Sequence, residues 1–389
     1  NNNPEPIYAG YDKLTDNSTA KNNLVVANAR DIWNYSGGQL IQINAGSSQG
    51  PTNDLRIKPD IAGNGTSLLS TYTGSDTAYA TASGTSMASP NVAGSLILLQ
   101  EYYFKTTGEI PLSSTIKALV FNGAKDAGDV GPDPIFGWGF LDMKKSSKII
   151  GENVSNKTIV ESSILNGEEI EYNLEVSEGI ENISVTICWT DPSANSLENA
   201  EDKDASVLVN DLDMRIVEIS DGEVIHLPYT LSLENLNING VWAVKADNSK
   251  DNVERIDFMA TQGAVYKILI NHKNSIENPT VDNDELKFQN FSIVVSEGSR
   301  INTTLSNDNV FDLNDNAFNY YVDRSSLNLT NHNNYSIDKL EIYGITGKLL
   351  YSKSNIGNIN SYEVYEIPKF GILSIDYNNK KFIRKFVKK

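Results

Sequence analysis

Hydrophobic and polar positions change their rhythm near residue 150. Upstream, short apolar runs alternate with stretches of helical period. Leu24 to Ala27 and Leu40 to Ile43 are predicted strands, Pro90 to Phe104 is a predicted helix, and Ser113 to Phe121 is a second helix with Ser113 and Ser114 as N-cap candidates. This alternation is α/β texture. Downstream, runs of period two rich in Val, Ile, Tyr and Thr are separated by Asn, Asp and Gly clusters. Glu169 to Val176, Ile183 to Trp189, Val207 to Val217, Val265 to Ile270 and Phe288 to Val295 are predicted strands of an antiparallel β jelly roll or sandwich. After the polar segment Ser296 to Asn309 comes a smaller β block, with strands at Leu327 to Leu329, Ile337 to Tyr343, Lys348 to Tyr351 and Gly371 to Tyr377. Asparagine-rich stretches such as Asn331 to Asn334 are expected in surface loops. Three domains follow: residues 1–150 α/β, residues 151–298 a β jelly roll, and residues 299–389 a linker with a small β-sandwich.

Composition narrows the function. The 50 acidic residues outnumber the 32 basic ones, for a formal charge of −18, which repels nucleic acid and anionic membranes. Cys188 is the single cysteine, so no intramolecular disulfide forms and zinc-binding cysteine spacings are absent; its apolar setting predicts a buried core thiol. No apolar run reaches the length of a membrane span. Asn1 to Pro6 carry neither an initiator Met nor signal-peptide features, and an upstream segment is therefore expected.

The chemistry concentrates at Ser83-Gly84-Thr85-Ser86-Met87-Ala88-Ser89-Pro90-Asn91-Val92-Ala93-Gly94. A serine placed between a glycine turn and an apolar helix stands beside unpaired backbone N–H groups and the positive end of the helix dipole. Both favour an oxyanion forming nearby. Gly84 permits close approach of a substrate, and Pro90 is expected within the first turn, where no donor is needed. Taken singly, Ser83, Thr85 or Ser86 reads first as an N-cap, and it is the whole string that points further.

Gly84-Thr85-Ser86-Met87-Ala88-Ser89-Pro90 resembles the nucleophile signature of the subtilisin-like serine proteases. Ser47-Ser48-Gln49-Gly50-Pro51, Lys58-Pro59-Asp60-Ile61 and Gly137-Trp138-Gly139-Phe140-Leu141-Asp142 resemble further segments of that family in the same order. The resemblance implies a partial subtilisin-like domain with Ser86 as nucleophile, acting on proteins or peptides through an acyl-enzyme, and no cofactor is needed for such chemistry. The family's order is Asp, His, Ser, whereas His226, His272 and His332 all follow Ser86. The Asp, the His and the oxyanion Asn are therefore not assigned within the chain, and the 389 residues alone are expected to be inactive. Asn22 and Asn23 precede Leu24-Val25-Val26-Ala27, which resembles a strand of the protease core rather than the oxyanion segment. His226 as a convergent base fails on context, because Ala88 occupies the last position of the Gly-x-Ser-x-Gly elbow that the alternative triad order requires.

Cys188-Trp189-Thr190-Asp191-Pro192 and Leu208-Val209-Asn210-Asp211-Leu212-Asp213 resemble paired segments of the jelly roll that follows the catalytic domain in one subtilisin subgroup. Asp211 and Asp213 share a strand face, so with Asn210 they are candidate calcium ligands, the alternative being a solvated acidic loop. Ile342 to Leu349, Ile367 to Leu373 and Lys381-Phe382-Ile383 resemble the carboxyl-terminal sorting domain of the type IX secretion system in Bacteroidetes. That resemblance implies the secretion machinery as a partner and a secreted or outer-membrane-attached location. Against the serine endopeptidase stands a second reading, a non-catalytic surface protein binding glycan or protein through its β domains.

Overall fold

The computed structural model describes residues 13–194, 206–220, 222–231, 243–261, 263–280, 287–302, 318–322, 326–331, 335–344, 348–365, 367–368, 370–378 and 380–387. The chain forms two compact units, one of Asn1–Ser162, Ile170–Asn274 and Phe291–Thr304, the other of Ser163–Glu169, Ser275–Asn290 and Leu305–Lys389.

The first part of the chain is α/β. Strands β1 (Val26–Ala29) and β2 (Ile61–Asn64) pair in parallel, with Val26 opposite Ile61. Strands β3 (Leu68–Thr71) and β4 (Tyr79–Ala82) form a hairpin. Three helices follow: α1 (Thr85–Thr107), α2 (Ser113–Gly123) and α3 (Met143–Asn156).

The α/β part departs from the sequence expectation at Leu40 to Ile43 and at the start of α2. Leu40 to Ile43 is no strand: Gly38–Leu40 is a 3-10 turn, and only Ile43 makes a bridge, to Ala29. The chain there meets one partner residue, too few for a ladder. Ser113 and Ser114 do not cap α2 either. They are its first two residues, and the helix start is satisfied instead by the Glu161 carboxylate, which accepts the Leu112 N–H at 3.0 Å.

The β-rich stretch that follows contains β5 (Ile159–Leu165), β6 (Ile170–Val176), β7 (Asn182–Trp189), β8 (Leu212–Ile219), β9 (Glu223–His226), β10 (Tyr229–Thr230), β11 (Val244–Lys245), β12 (Val253–Met259), β13 (Val265–His272), β14 (Phe288–Val295) and β15 (Ser299–Asn302). A four-stranded sheet has the order β12-β7-β14-β5 and a five-stranded sheet the order β15-β6-β13-β8-β9. Residues 207–211, expected within the strand that becomes β8, form the loop entering it.

Residues Ile183 to Trp189 of β7 are buried on both faces, which explains their nearly unbroken apolar run. Asn122 of α2 anchors one face, its amide donating to the carbonyls of Ser184 at 2.9 Å and Val294 at 3.1 Å. Leu99, Leu119, Phe121, Trp138 and Ile149 therefore share one core with Cys188, Val253 and Val294. The Cys188 thiol is fully buried, as its setting predicts, and burial pushes its pKa far up.

The carboxyl-terminal block is a β-sandwich. Strands β16 (Asn319–Val322), β17 (Ser326–Thr330) and β20 (Ser361–Tyr365) form one sheet, ordered β16-β17-β20. Strands β18 (Ser336–Gly344), β19 (Leu349–Asn358), β21 (Phe370–Tyr377) and β22 (Lys380–Val387) form the other, ordered β19-β18-β21-β22. Leu327, Leu329 and Val364 from the first sheet meet Leu340, Ile342, Leu373 and Phe382 from the second in one core. Asn331 is buried rather than a surface loop residue, because its side chain brackets Tyr335, donating to its carbonyl at 2.8 Å and accepting its N–H at 3.0 Å. Residues 332–334 lie outside the described residues.

Candidate active site

Ser86 is the second residue of α1. The helix is pinned to the end of β2 by two glycines. A Cβ on Gly63 would lie 2.5 Å from Val92 Cγ2, and one on Gly65 would lie 2.6 Å from both Ala88 Cβ and the Gly84 carbonyl oxygen. At Gly65 only bare backbone fits, because the neighbours include main-chain atoms, while at Gly63 the Val92 side chain would have to shift. The Gly84 N–H donates to the Gly65 carbonyl at 2.9 Å, and the Gly84 carbonyl accepts from Met87 and Ala88, which starts the helix. Gly84 itself has φ 156° and ψ 167°, a conformation that suits glycine. Its neighbour Ser83 accepts the Ser67 N–H at 2.8 Å and ties the helix start to the hairpin.

This geometry moves the helix start five residues upstream of the expected Pro90. Pro90 is the sixth helical residue, so it is not in the donor-free first turn. Having no N–H, it leaves the Ser86 carbonyl without its helical donor. The Thr85 and Ser86 N–H groups meet no backbone acceptor among the described residues, as the first turn of a helix requires.

Ala88, Val92, Leu99 and Tyr103 form the buried stripe of α1. Ser86 is on the opposite face and exposed, and among the described residues its hydroxyl makes no hydrogen bond. Five turns of the same face carry Ile97, 64 % exposed, and Phe104, 52 % exposed.

The histidines are engaged elsewhere. His226 Nε2 lies 2.8 Å from Glu218 Oε2 and its ring stacks on Phe258 with centroids 4.5 Å apart. Burial pushes the Glu218 pKa up, but hydrogen bonds from Thr261 and His226 outweigh it and hold the carboxyl below its ordinary range. His272 Nδ1 is 2.6 Å from the Asn274 carbonyl oxygen. His332 lies outside the described residues.

The two resembling segments of the β stretch do meet. Asp191 accepts the Asn210 N–H at 2.8 Å and the Val209 N–H at 2.9 Å, and Trp189 Nε1 donates to the Asn210 carbonyl at 2.9 Å. Lys21 closes the junction by an ion pair to Asp191 at 2.5 Å, with Asn22 accepting the Asp191 N–H at 3.1 Å. Asn22 is thus a clamp between the α/β and β parts.

Asp211 and Asp213 do share a site, and Lys273 Nζ stands between them at 3.3 and 3.2 Å. Asp247 joins from the far side, 2.5 Å from the same ammonium, and Arg215 pairs with both Asp213 and Asp247. Burial and the neighbouring Asp247 carboxyl push the Asp213 pKa up, while Asp247, despite burial, is drawn down by hydrogen bonds that include those from Lys273 and Arg215. Fully buried Glu254 completes the cluster, its carboxyl accepting the Met214 N–H at 2.6 Å, and burial raises its pKa well above normal. Among the described residues no group of three or more His, Cys, Asp or Glu is arranged to hold a metal ion. A calcium ion at Asp211 and Asp213 would have to displace Lys273. Sequence reading missed Lys273 and Glu254 because they lie some sixty and forty residues from Asp211 and Asp213, with no local signal.

Residues 1–139, which include Ser86, match the family model of the subtilase family, Peptidase S8. The PII-type proteinase of Lactococcus lactis subsp. cremoris is 30% identical over 125 residues, covering 28% of this chain and 6% of that protein. The serine protease/ABC transporter B family protein tagB of Dictyostelium discoideum is 26% identical over 295 residues, covering 58% of this chain and 15% of that protein. The chain thus spans only a small part of the length of these curated relatives. Among solved structures, a lanthipeptide protease shares 26% identity with a TM-score of 0.25, covering 28% of this chain and 38% of that one. Fervidolysin from Fervidobacterium pennivorans shares 13% identity with a TM-score of 0.26, covering 95% of this chain and 49% of that one. No helix among the described residues is long and apolar enough to cross a membrane.

Proposed function

We propose that the chain belongs to a serine endopeptidase in which Ser86 Oγ attacks the carbonyl carbon of a peptide bond. The observation that carries this reading is the exposed, unengaged hydroxyl in the first turn of α1, inside the stretch that matches the subtilase family. On attack the C=O π bond opens to a tetrahedral oxyanion, and the Ser86 N–H, free of a helical acceptor, is one donor for it. The hydroxyl proton must pass to a base, since an unassisted serine is a poor nucleophile near neutral pH.

Because the resemblance carries the order Asp, His, Ser and His226, His272 and His332 all follow Ser86, the proposal assigns the base and its aspartate to residues outside these 389. Exposed Ile97 and Phe104, on the same face of α1 as Ser86, support further protein packing there. In this reading the β stretch is the jelly roll of a secreted protease. The terminal sandwich is a type IX sorting domain that directs it to the surface of a Bacteroidetes-like cell.

The test compares casein hydrolysis by the complete protein with and without Ser86→Ala. The proposal expects loss of at least a thousandfold, and retained hydrolysis would end it. The non-catalytic surface-protein reading rests on the three histidines all following Ser86, and an upstream coding sequence with no Asp and His segment would select it.

A further inference from the structure

An open cleft of about 480 Å³ lies beside α3 and β12, on the first unit and apart from Ser86's helix. Lys125, Lys145, Lys245 and Arg255 converge on it, with Asp126 and Asp257 as its acids. In a chain of formal charge −18, four cations around one cavity demand an account of their partners.

Arg255 and Asp257 neutralise each other, Nε to Oδ1 at 2.8 Å, and Arg255 also donates to the Phe121 carbonyl at 2.9 Å. Lys125 pairs with Asp142 at 3.2 Å and lies 5.0 Å from the Tyr35 ring centre. Lys245 donates to the Asp257 backbone carbonyl and stands 5.6 Å from the Tyr229 ring centre. Asp126 accepts the Gly131 N–H at 3.2 Å. Lys145 is different. Among the described residues its ammonium makes no hydrogen bond and no ion pair, although it is half-buried. Burial, reinforced by the nearby Arg255 guanidinium, lowers its pKa.

An unpaired ammonium drawn out of water costs free energy that an anion would return. Ile183, Phe258 and Met259 line the same cavity and give it an apolar wall. We propose that this cavity binds a small organic oxyanion, a carboxylate or a phosphate, with Lys145 as its principal contact, Lys245 as a second, and the ligand's carbon skeleton against Ile183, Phe258 and Met259. Because Lys145 is on α3 and the apolar wall is on β7 and β12, the ligand would clamp the α/β part to the β sheets. The proposal is independent of the role of Ser86.

The experiment is isothermal titration of the full chain with glutarate and, separately, with inorganic phosphate, at constant ionic strength. One saturable site is expected for at least one probe, and the tighter probe identifies the preferred anion. Lys145→Met should weaken it at least tenfold. Lys148→Met, which removes an exposed lysine one turn along α3 that pairs with Glu297, should leave it unchanged. Circular dichroism checks that the variants fold, and Lys245→Met, expected to weaken binding severalfold, decides the matter if Lys145→Met does not fold. Absence of saturation by both anions, or wild-type binding by folded Lys145→Met, overturns the proposal.

Discussion

Gly65→Ala tests whether the start of α1 is held by the close approach of β2. The new Cβ would lie 2.6 Å from Ala88 Cβ, 2.6 Å from the Gly84 carbonyl oxygen and 2.7 Å from the Ala88 nitrogen. Two of these atoms are backbone, so no side chain can rotate away. Restoring an ordinary contact of about 3.4 Å means moving the helix start by about 0.8 Å, 3.4 minus 2.6. Overpacking of this kind costs about 1–3 kcal/mol. A displacement near 1 Å at a reacting group costs on the order of a hundredfold in rate. Gly94→Ala is the control: it is in the same helix, its Cβ would meet nothing within 4 Å, and alanine there should stabilise by about 0.5–1 kcal/mol. Urea denaturation followed by helical circular dichroism reads both variants, since α1, α2 and α3 dominate that signal. If Gly65→Ala unfolds at the wild-type midpoint, the glycine contact does not position the helix and the argument fails.

Three further outcomes are expected. Asn122→Ala strips donors from the buried carbonyls of Ser184 and Val294 and should cost about 2–4 kcal/mol in the same denaturation assay, whereas a loss under 0.5 kcal/mol would show that water replaces the amide. Lys273→Met takes the shared ammonium from Asp211, Asp213 and Asp247 while Arg215 still pairs with the last two, and because Lys273 and Asp247 are partly exposed the loss should be about 1–2 kcal/mol; wild-type melting should be the same in calcium and in chelator, and a midpoint that rises with calcium would show the ion displacing Lys273. Burial raises Asp133 and Asp251 each to about 7, so the folded chain binds protons that the unfolded chain has released, and these two groups make stability fall as pH rises from about 4 to about 7. Asp251→Asn should flatten that slope in a pH series of melting midpoints, and an unchanged slope would show that Asp251 is ionised throughout.

Much of this was legible in the residues because local rules governed it. The period-two runs became β6, β7, β13 and β14 almost residue for residue, and the apolar setting of Cys188 placed it in the core. The string around Ser86 announced a glycine turn entering a helix. What failed was set by distant partners. Pro90 looked like a helix start, but Gly65 anchors Gly84 and begins the helix at Thr85. Ser113 and Ser114 looked like caps, yet Glu161 arrives from β5 to do that work. The shared face of Asp211 and Asp213 was legible, whereas Lys273, which follows β13 and stands between them, carried no local signal.

The central claim is that Ser86 Oγ is a nucleophile. Its most direct measurement is reaction of the complete protein with a fluorophosphonate, followed by peptide mass spectrometry. One phosphonylated serine is expected, at position 86, with labelling abolished by Ser86→Ala. Stoichiometric labelling at any other residue, with hydrolysis intact in that variant, would contradict it.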